Sequence, residues 1–238
     1  MPSRAASRFA ILAAILLVLP LCALQAPSPG VHPVSGRKFA NVMGVSGAPW
    51  LVRPERIEEE QPDRALDELQ LKRGMVVADI GAGVGYMSIK MARRVGPAGT
   101  VYANDIQPEM LVKMRQNMAK EKVTNIVPVL GEVADPKLPG NTMDLVLLVD
   151  VYHEFSEPQA MLRKIRECLK ADGRLVLLEY RAEDPNVPII PEHKMTVAQV
   201  KMELGAEGFT LSQAIETLPR QHILILTKTK ATAASSGR

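Results

Sequence analysis

The chain has 238 residues, 47% hydrophobic and 23% charged, with a net charge of +3 at neutral pH. That apolar content suffices for the core of one α/β domain with some chain to spare, which excludes disorder as the global state. Arg4 and Arg8 supply two of the positive charges, so the rest is near neutral, and aromatic residues make up only 4%; neither a phosphate-tracking surface nor a base-stacking platform is expected, and nucleic acid is not an expected partner.

Arg4 and Arg8 precede an apolar run from Phe9 to Leu24, interrupted by Pro20. This layout predicts a signal peptide or membrane anchor over residues 1–26. The rest is then exported or held at a membrane through the N-terminus; it is cytoplasmic if the segment is no signal. Cys22 lies in that run and Cys168 in an expected helix. A disulfide framework and a cysteine-built zinc site are both excluded, and no metal site is assigned. Residues 27–49 are rich in Pro, Gly and Ser. With a helix expected over 63–69, burying Ala65, Leu66 and Leu69, they make residues 27–69 a linker and capping segment. In that segment Trp50, Arg53 and Arg56 form either a lid or a packing cluster, and Glu58-Glu59-Glu60 reads as a solvated face.

Over residues 70–228 strands and helices alternate. Strands are predicted at 75–80, 100–104, 126–130, 144–149, 175–179, 209–216 and 222–227. Helices are predicted at 86–95, 108–122 and from Ser156 to Lys170, with another opening at Thr196 and ending at Gly208. Pro108 suits a helix start, where its missing N–H costs nothing. Ser156 to Gln159 and Thr196 to Gln199 read as capping boxes. The short connection Leu218-Pro219-Arg220 forces a terminal hairpin, because parallel strands need a long crossover. The expected fold is α/β and Rossmann-like: a seven-stranded, mostly parallel sheet with an antiparallel terminal hairpin and helices on both faces. Residues 229–238 are expected to form a disordered tail of small residues.

The chemistry sits at the strand ends. The first strand runs into Asp79-Ile80-Gly81-Ala82-Gly83-Val84-Gly85. The G-x-G-x-G spacing is not the G-x-G-x-x-G of dinucleotide folds, and no Gly-Lys-Ser/Thr follows as a P-loop requires. Twenty residues after Gly85 comes Asp105, followed by Ile106, where a carboxylate can accept both hydroxyls of a ribose. Gly131-Glu132-Val133 ends the third strand and Asp150-Val151-Tyr152-His153-Glu154 the fourth. Asp79, Asp105, Glu132 and Asp150 at four adjacent strand tips suit a ligand bearing an ammonium, a sulfonium and a diol better than a phosphate.

Over roughly Leu71 to Thr227 these features resemble the class I S-adenosylmethionine-dependent methyltransferases, closest to the small-molecule group that includes the ubiquinone/menaquinone methyltransferases. The resemblance implies S-adenosyl-L-methionine as cofactor. Asp79, Gly81, Ala82, Gly83 and Gly85 would then border its methionine part, with Asp150 beside them. Asp105 and Ile106 would lie at the ribose, and Glu132 and Val133 at the adenine. Many relatives carry Asp where this chain has Glu132. The implied acceptor is a small molecule or a lipid. His153 is the candidate base, against a purely structural histidine. Tyr152 and His193 are further candidate catalytic residues at the acceptor site, and Tyr180 and Arg181 could face the same pocket. His32, His222 and Cys168 read as structural. The alternative is an exported, non-catalytic binding protein that keeps the fold.

Overall fold

The computed structural model describes residues 30–230. The signal or anchor segment at 1–26, and residues 231–238 of the tail, lie outside the described residues. The described chain runs α1 (Arg56–Glu60), α2 (Pro62–Glu68), β1 (Val76–Ile80), α3 (Tyr86–Val95), β2 (Thr100–Asp105), α4 (Pro108–Lys120), β3 (Ile126–Leu130), β4 (Met143–Val149), α5 (Pro158–Cys168), β5 (Leu169–Arg181), β6 (Lys194–Met195), α6 (Val197–Ala206), β7 (Phe209–Ile215) and β8 (Gln221–Lys228).

The sheet order is β3-β2-β1-β4-β5-β8-β7, and the two-residue β6 pairs with the end of β5. Neighbours from β3 to β5 are parallel, while β8 is antiparallel to both β5 and β7. The seven expected strands thus form the main path, and β6 is the addition, pairing Tyr180 with Lys194. It is too short to carry a sequence pattern.

Period-2 alternation along the strands sends side chains to two cores. In β4, Leu145 and Leu147 face a core built with α2, α3 and α4. Val146 and Leu148 face the other, built with α5 and α6. Helices therefore cover both faces, and the central strands can be apolar throughout. Ala65, Leu66 and Leu69 are fully buried, as the spacing predicts, and so is Cys168.

Several local expectations are corrected. Helix α5 starts at Pro158 with Glu157 as N-cap and no side-chain cap bond, so Ser156 is not part of a capping box; the ring at the first helical position sets the boundary instead. The second box is present, with Thr196 Oγ1 accepting from Gln199 N–H. The helix expected to reach Lys170 stops at Cys168, and the chain passes straight into β5, with a register shift opposite Met143 and Leu145.

Residues 30–55 pack on the domain. His32 Nε2 lies 3.2 Å from the Tyr152 hydroxyl, and Arg37 donates from Nε and Nη2 to the Glu203 carboxylate of α6, each at 3.1 Å. Ala40 N–H donates to the His153 carbonyl at 3.0 Å. A 3-10 segment, Val45–Val52, packs Ala48, Val45 and Leu51 against Val84 of the glycine loop and Met110 of α4. No helix among the described residues is long and apolar enough to cross a membrane.

Candidate active site

The strand order reverses direction between β1 and β4, and the crevice beyond their carboxyl ends is where open α/β sheets hold ligands. A cavity of about 410 Å³ opens there, within the range of small-molecule sites.

The glycine loop forms its floor. Gly81, Gly83 and Gly85 have φ of 70°, 54° and 84°, a region that L side chains enter at a cost. A Cβ at Gly81 would lie 2.3 Å from Val151 Cγ2, and one at Gly83 would lie 2.6 Å from Leu51 Cδ1. The backbone here is approached from both sides. Gly85 caps α3 and stands away from the cavity wall, as does Ala82.

Asp105 ends β2 and lines the cavity. Its Oδ2 accepts from Gly83 N–H at 2.9 Å and its Oδ1 from Gln107 N–H at 2.8 Å. It braces the glycine loop against the start of α4, and each oxygen retains a further lone pair for another donor. Burial raises its carboxyl above the ordinary value, against the pull of those N–H groups. Ile106 and Val133 line the same cavity. Glu132 does not: its side chain is 69% exposed and pairs with Lys137 at 3.1 Å. The two-residue turn that brings Val133 to the wall points Glu132 at solvent.

Asp79 lies beneath the loop rather than in the cavity wall, with Ser88 Oγ donating to Oδ2 at 2.5 Å. Burial pushes its carboxyl up to about 6, opposed by the Ser88 hydroxyl. An acid whose folded value is raised stabilises the fold fully below its unfolded value, near 3.8, and loses that contribution as pH rises through about 6, a total near 3 kcal/mol. Asp79→Asn is therefore expected to flatten the stability loss between about pH 4 and 6.5, read as urea midpoints against wild type. An unchanged slope would assign that titration to another group.

Asp150 follows β4 with φ 52°, a left-handed conformation that aims its side chain into the cavity. Gln221 Nε2 donates to Oδ2 at 2.7 Å, but the buried Oδ1 has no partner among the described residues. Burial and then the nearby Glu60 and Glu179 carboxylates push Asp150 well above the ordinary range. A buried carboxylate oxygen without a donor, beside two further acids, is a place for a cation.

The far end of the cavity carries the histidines. Glu179 is fully buried on β5; its Oε1 accepts from Tyr152 N–H at 3.0 Å and its Oε2 lies 2.6 Å from His153 Nδ1. That pair fixes the ring with its proton on Nδ1 and turns Nε2 toward His193 Nδ1, 3.1 Å away. Burial lowers the His153 imidazole, but the Glu179 carboxylate overrides it and holds the group above its usual value. His193 is lowered by burial and by His153. Glu154, pushed up to about 7 by burial, lies beside them. His153, Glu154 and His193 each offer a ligand atom, all within 4.8 Å of one another, where the sequence assigned no metal site.

Other expectations need correction. Tyr152 does not reach the cavity wall. Its ring is fully buried in the α5/α6 core beside Phe155, with its hydroxyl on His32. Arg181 turns away to Glu216 and the carbonyls of the terminal hairpin. Tyr180 does line the cavity, donating to Glu60 Oε1 at 3.0 Å. Glu60 is no solvated residue: it is buried and takes Arg53 at 2.8 Å and Arg56 at 2.5 Å. Trp50, under the Arg53 guanidinium at 3.6 Å from the ring centroid, lines the cavity with both arginines. Glu179, Glu60 and Glu154 stand at the cavity or hold its wall, and the sequence assigned none of them a site role. A lone acid ending the apolar run Leu175-Val176-Leu177-Leu178 was the available signal for Glu179.

The fold and the crevice define a class I, S-adenosylmethionine-dependent methyltransferase architecture. Residues 71–225 match the family model described as a methyltransferase domain, and the chain belongs to that family. It is similar to the arsenite methyltransferase of Halobacterium salinarum, 28% identical over 62% of this chain and 39% of that protein. It is also similar to the ubiquinone/menaquinone biosynthesis C-methyltransferase UbiE of Citrobacter koseri, 32% identical over 46% of this chain and 44% of that protein. The chain thus spans less than half the length of these two relatives. Among solved structures, a SAM-dependent methyltransferase from Aquifex aeolicus superposes with a TM-score of 0.73 at 27% identity, over 78% of this chain and 98% of that one.

Proposed function

We propose that the protein binds S-adenosyl-L-methionine and methylates a small, largely apolar molecule that carries one ionisable polar group. The buried Asp150 Oδ1, without a partner among the described residues, carries this reading, taken with Asp105 across the glycine loop. S-adenosylmethionine supplies a methyl group already activated on a sulfonium, so the protein's task is alignment and exclusion of water.

Asp105 accepts the ribose hydroxyls, and Asp150 offers its free oxygen to the cationic end. Gly81 and Gly83 allow the backbone to approach. Trp50 and Leu51 close the crevice from the lead-in, while Ile189 and Ile190 close it from the loop after β5. Met43, Phe155 and Met161 give the wall an apolar character, which suits a ring or chain rather than a sugar or a phosphate. His153, held by Glu179, presents the lone pair of Nε2 toward the end where the acceptor's polar group lies. The small-molecule names of the relatives agree with this class. An arsenic acceptor is not favoured, because Cys168, the single cysteine among the described residues, is buried with its thiol pushed up to about 12. The two curated relatives carry methyltransferase names, and nothing favours the non-catalytic alternative.

Calorimetry on the full chain with S-adenosylmethionine and S-adenosylhomocysteine is expected to give one site each, with affinity in the range of about 1 μM to 1 mM. Labelled-methyl transfer to a panel of hydroxylated and quinone-type aromatics then identifies the acceptor. Absence of heat and of thermal protection with both nucleosides would overturn the reading.

A further inference from the structure

We propose that His153 Nε2, His193 Nδ1 and the Glu154 carboxylate form a site for one divalent first-row transition ion, such as Zn²⁺ or Fe²⁺, at the acceptor end of the cavity. Its role there rests on the methyl-transfer reading; its existence does not.

Two imidazoles and one carboxylate are the donor set of open catalytic zinc sites and of non-haem iron sites. The geometry fits the donor chemistry. Two nitrogens bound to one ion at about 2.1 Å, roughly 95° apart, stand about 3.1 Å from each other. His153 Nε2 and His193 Nδ1 are 3.1 Å apart. The three ligand atoms lie within 4.8 Å of one another. Donors sharing one ion stand at most about 4.2 Å apart, so a small rotation of Glu154 completes the set. Among the described residues that carboxylate is held by Met43 N–H at 3.2 Å, a weak restraint on such a rotation.

The supporting shell has the right form as well. A ligating histidine ordinarily donates its other N–H to a carboxylate, which sets the tautomer and raises ligand basicity. Glu179 Oε2, 2.6 Å from His153 Nδ1, occupies that position. Glu179 is itself fixed by Tyr152 N–H and fully buried. All three ligand residues line the cavity. They come from only two sides, the turn after β4 and the 3-10 turn Pro191–His193, so coordination positions stay open toward the cavity. An oxygen of the acceptor entering such a position would be held and made easier to deprotonate.

The test is titration of the purified, tag-free full chain with Co²⁺, followed by absorption and then by Zn²⁺ competition in a calorimeter. One equivalent should bind, with visible bands of a low-coordinate nitrogen/oxygen site that Zn²⁺ abolishes. His193→Ala and Glu154→Gln should each weaken Co²⁺ binding at least 10-fold. Glu179→Gln, which touches no ion, should weaken it by about 10- to 100-fold. If His193→Ala fails to fold, Glu154→Gln decides. No stoichiometric binding, or binding unchanged in the folded variants, overturns the site. The titration needs neither S-adenosylmethionine nor an acceptor, so its failure is separate from failure of the methyltransferase reading.

Discussion

Replacement of Asp105 by alanine is expected to weaken S-adenosylmethionine binding by about 100-fold or more. The carboxylate is 6% exposed at the tip of β2. It is the acidic group proposed to accept the ribose hydroxyls at that strand end. Two hydrogen bonds to an ionised acceptor are together worth about 3 kcal/mol or more, which is roughly two orders of magnitude in affinity. A second loss follows from the same truncation. Gly83 N–H and Gln107 N–H would lose their acceptor, and the loop that lets the ligand reach the backbone would lose its brace to α4. Calorimetry on wild type and Asp105→Ala reads the effect directly, and thermal unfolding of the unliganded proteins separates loop loosening from lost contact. Affinity within a factor of three of wild type would remove the ribose assignment.

Asp105 was legible in the sequence because its position follows from local rules: a strand, a fixed interval after the glycines, then a helix start at Pro108. The parallel order and the terminal hairpin were legible for the same reason, since connection lengths restrict which strands can pair. The segment after β4 was less so. Asp150 adopts φ 52° and the next turn is 3-10 from Tyr152 to Glu154. Consecutive side chains there diverge by about 120°, so neither strand nor α-helix periodicity says which way each points. Tyr152 therefore enters the core while His153, one residue on, faces Glu179. Glu60 shows a different limit. Its neighbours Glu58 and Glu59 in a run of like charge suggested solvent. Arg56, four residues before it, and Arg53 also bind it, but its other partner, the Tyr180 hydroxyl, lies 120 residues away and no local pattern points to that one. The metal-type cluster combines both problems, because His193 comes from a loop 40 residues beyond His153.

Gly81→Ala is expected to destabilise the protein by about 2 to 5 kcal/mol, and a second substitution should return part of that loss. Two separate physical causes act at this position. The residue sits at φ 70°, and a side chain in the left-handed region costs about 1–2 kcal/mol. The new Cβ would also lie 2.3 Å from Val151 Cγ2 and 3.0 Å from its Cβ. Relief of such overpacking typically costs about 1–3 kcal/mol in displaced backbone and side chains. Val151 cannot retreat freely, because its carbonyl accepts from Glu154 N–H at 3.0 Å and it follows the strained Asp150. For a chain of this size the sum lowers the melting temperature by roughly 5 to 15 °C. Val151→Ala removes the clashing methyls and leaves the backbone angle untouched. In the Gly81→Ala background it should therefore recover the packing part and leave the conformational part. The coupling between the two sites should be about 1–3 kcal/mol, measured as a double-mutant cycle of denaturant midpoints. Strict additivity would mean that Val151 moves aside at no cost, and the loop would then need its glycine for the backbone angle alone.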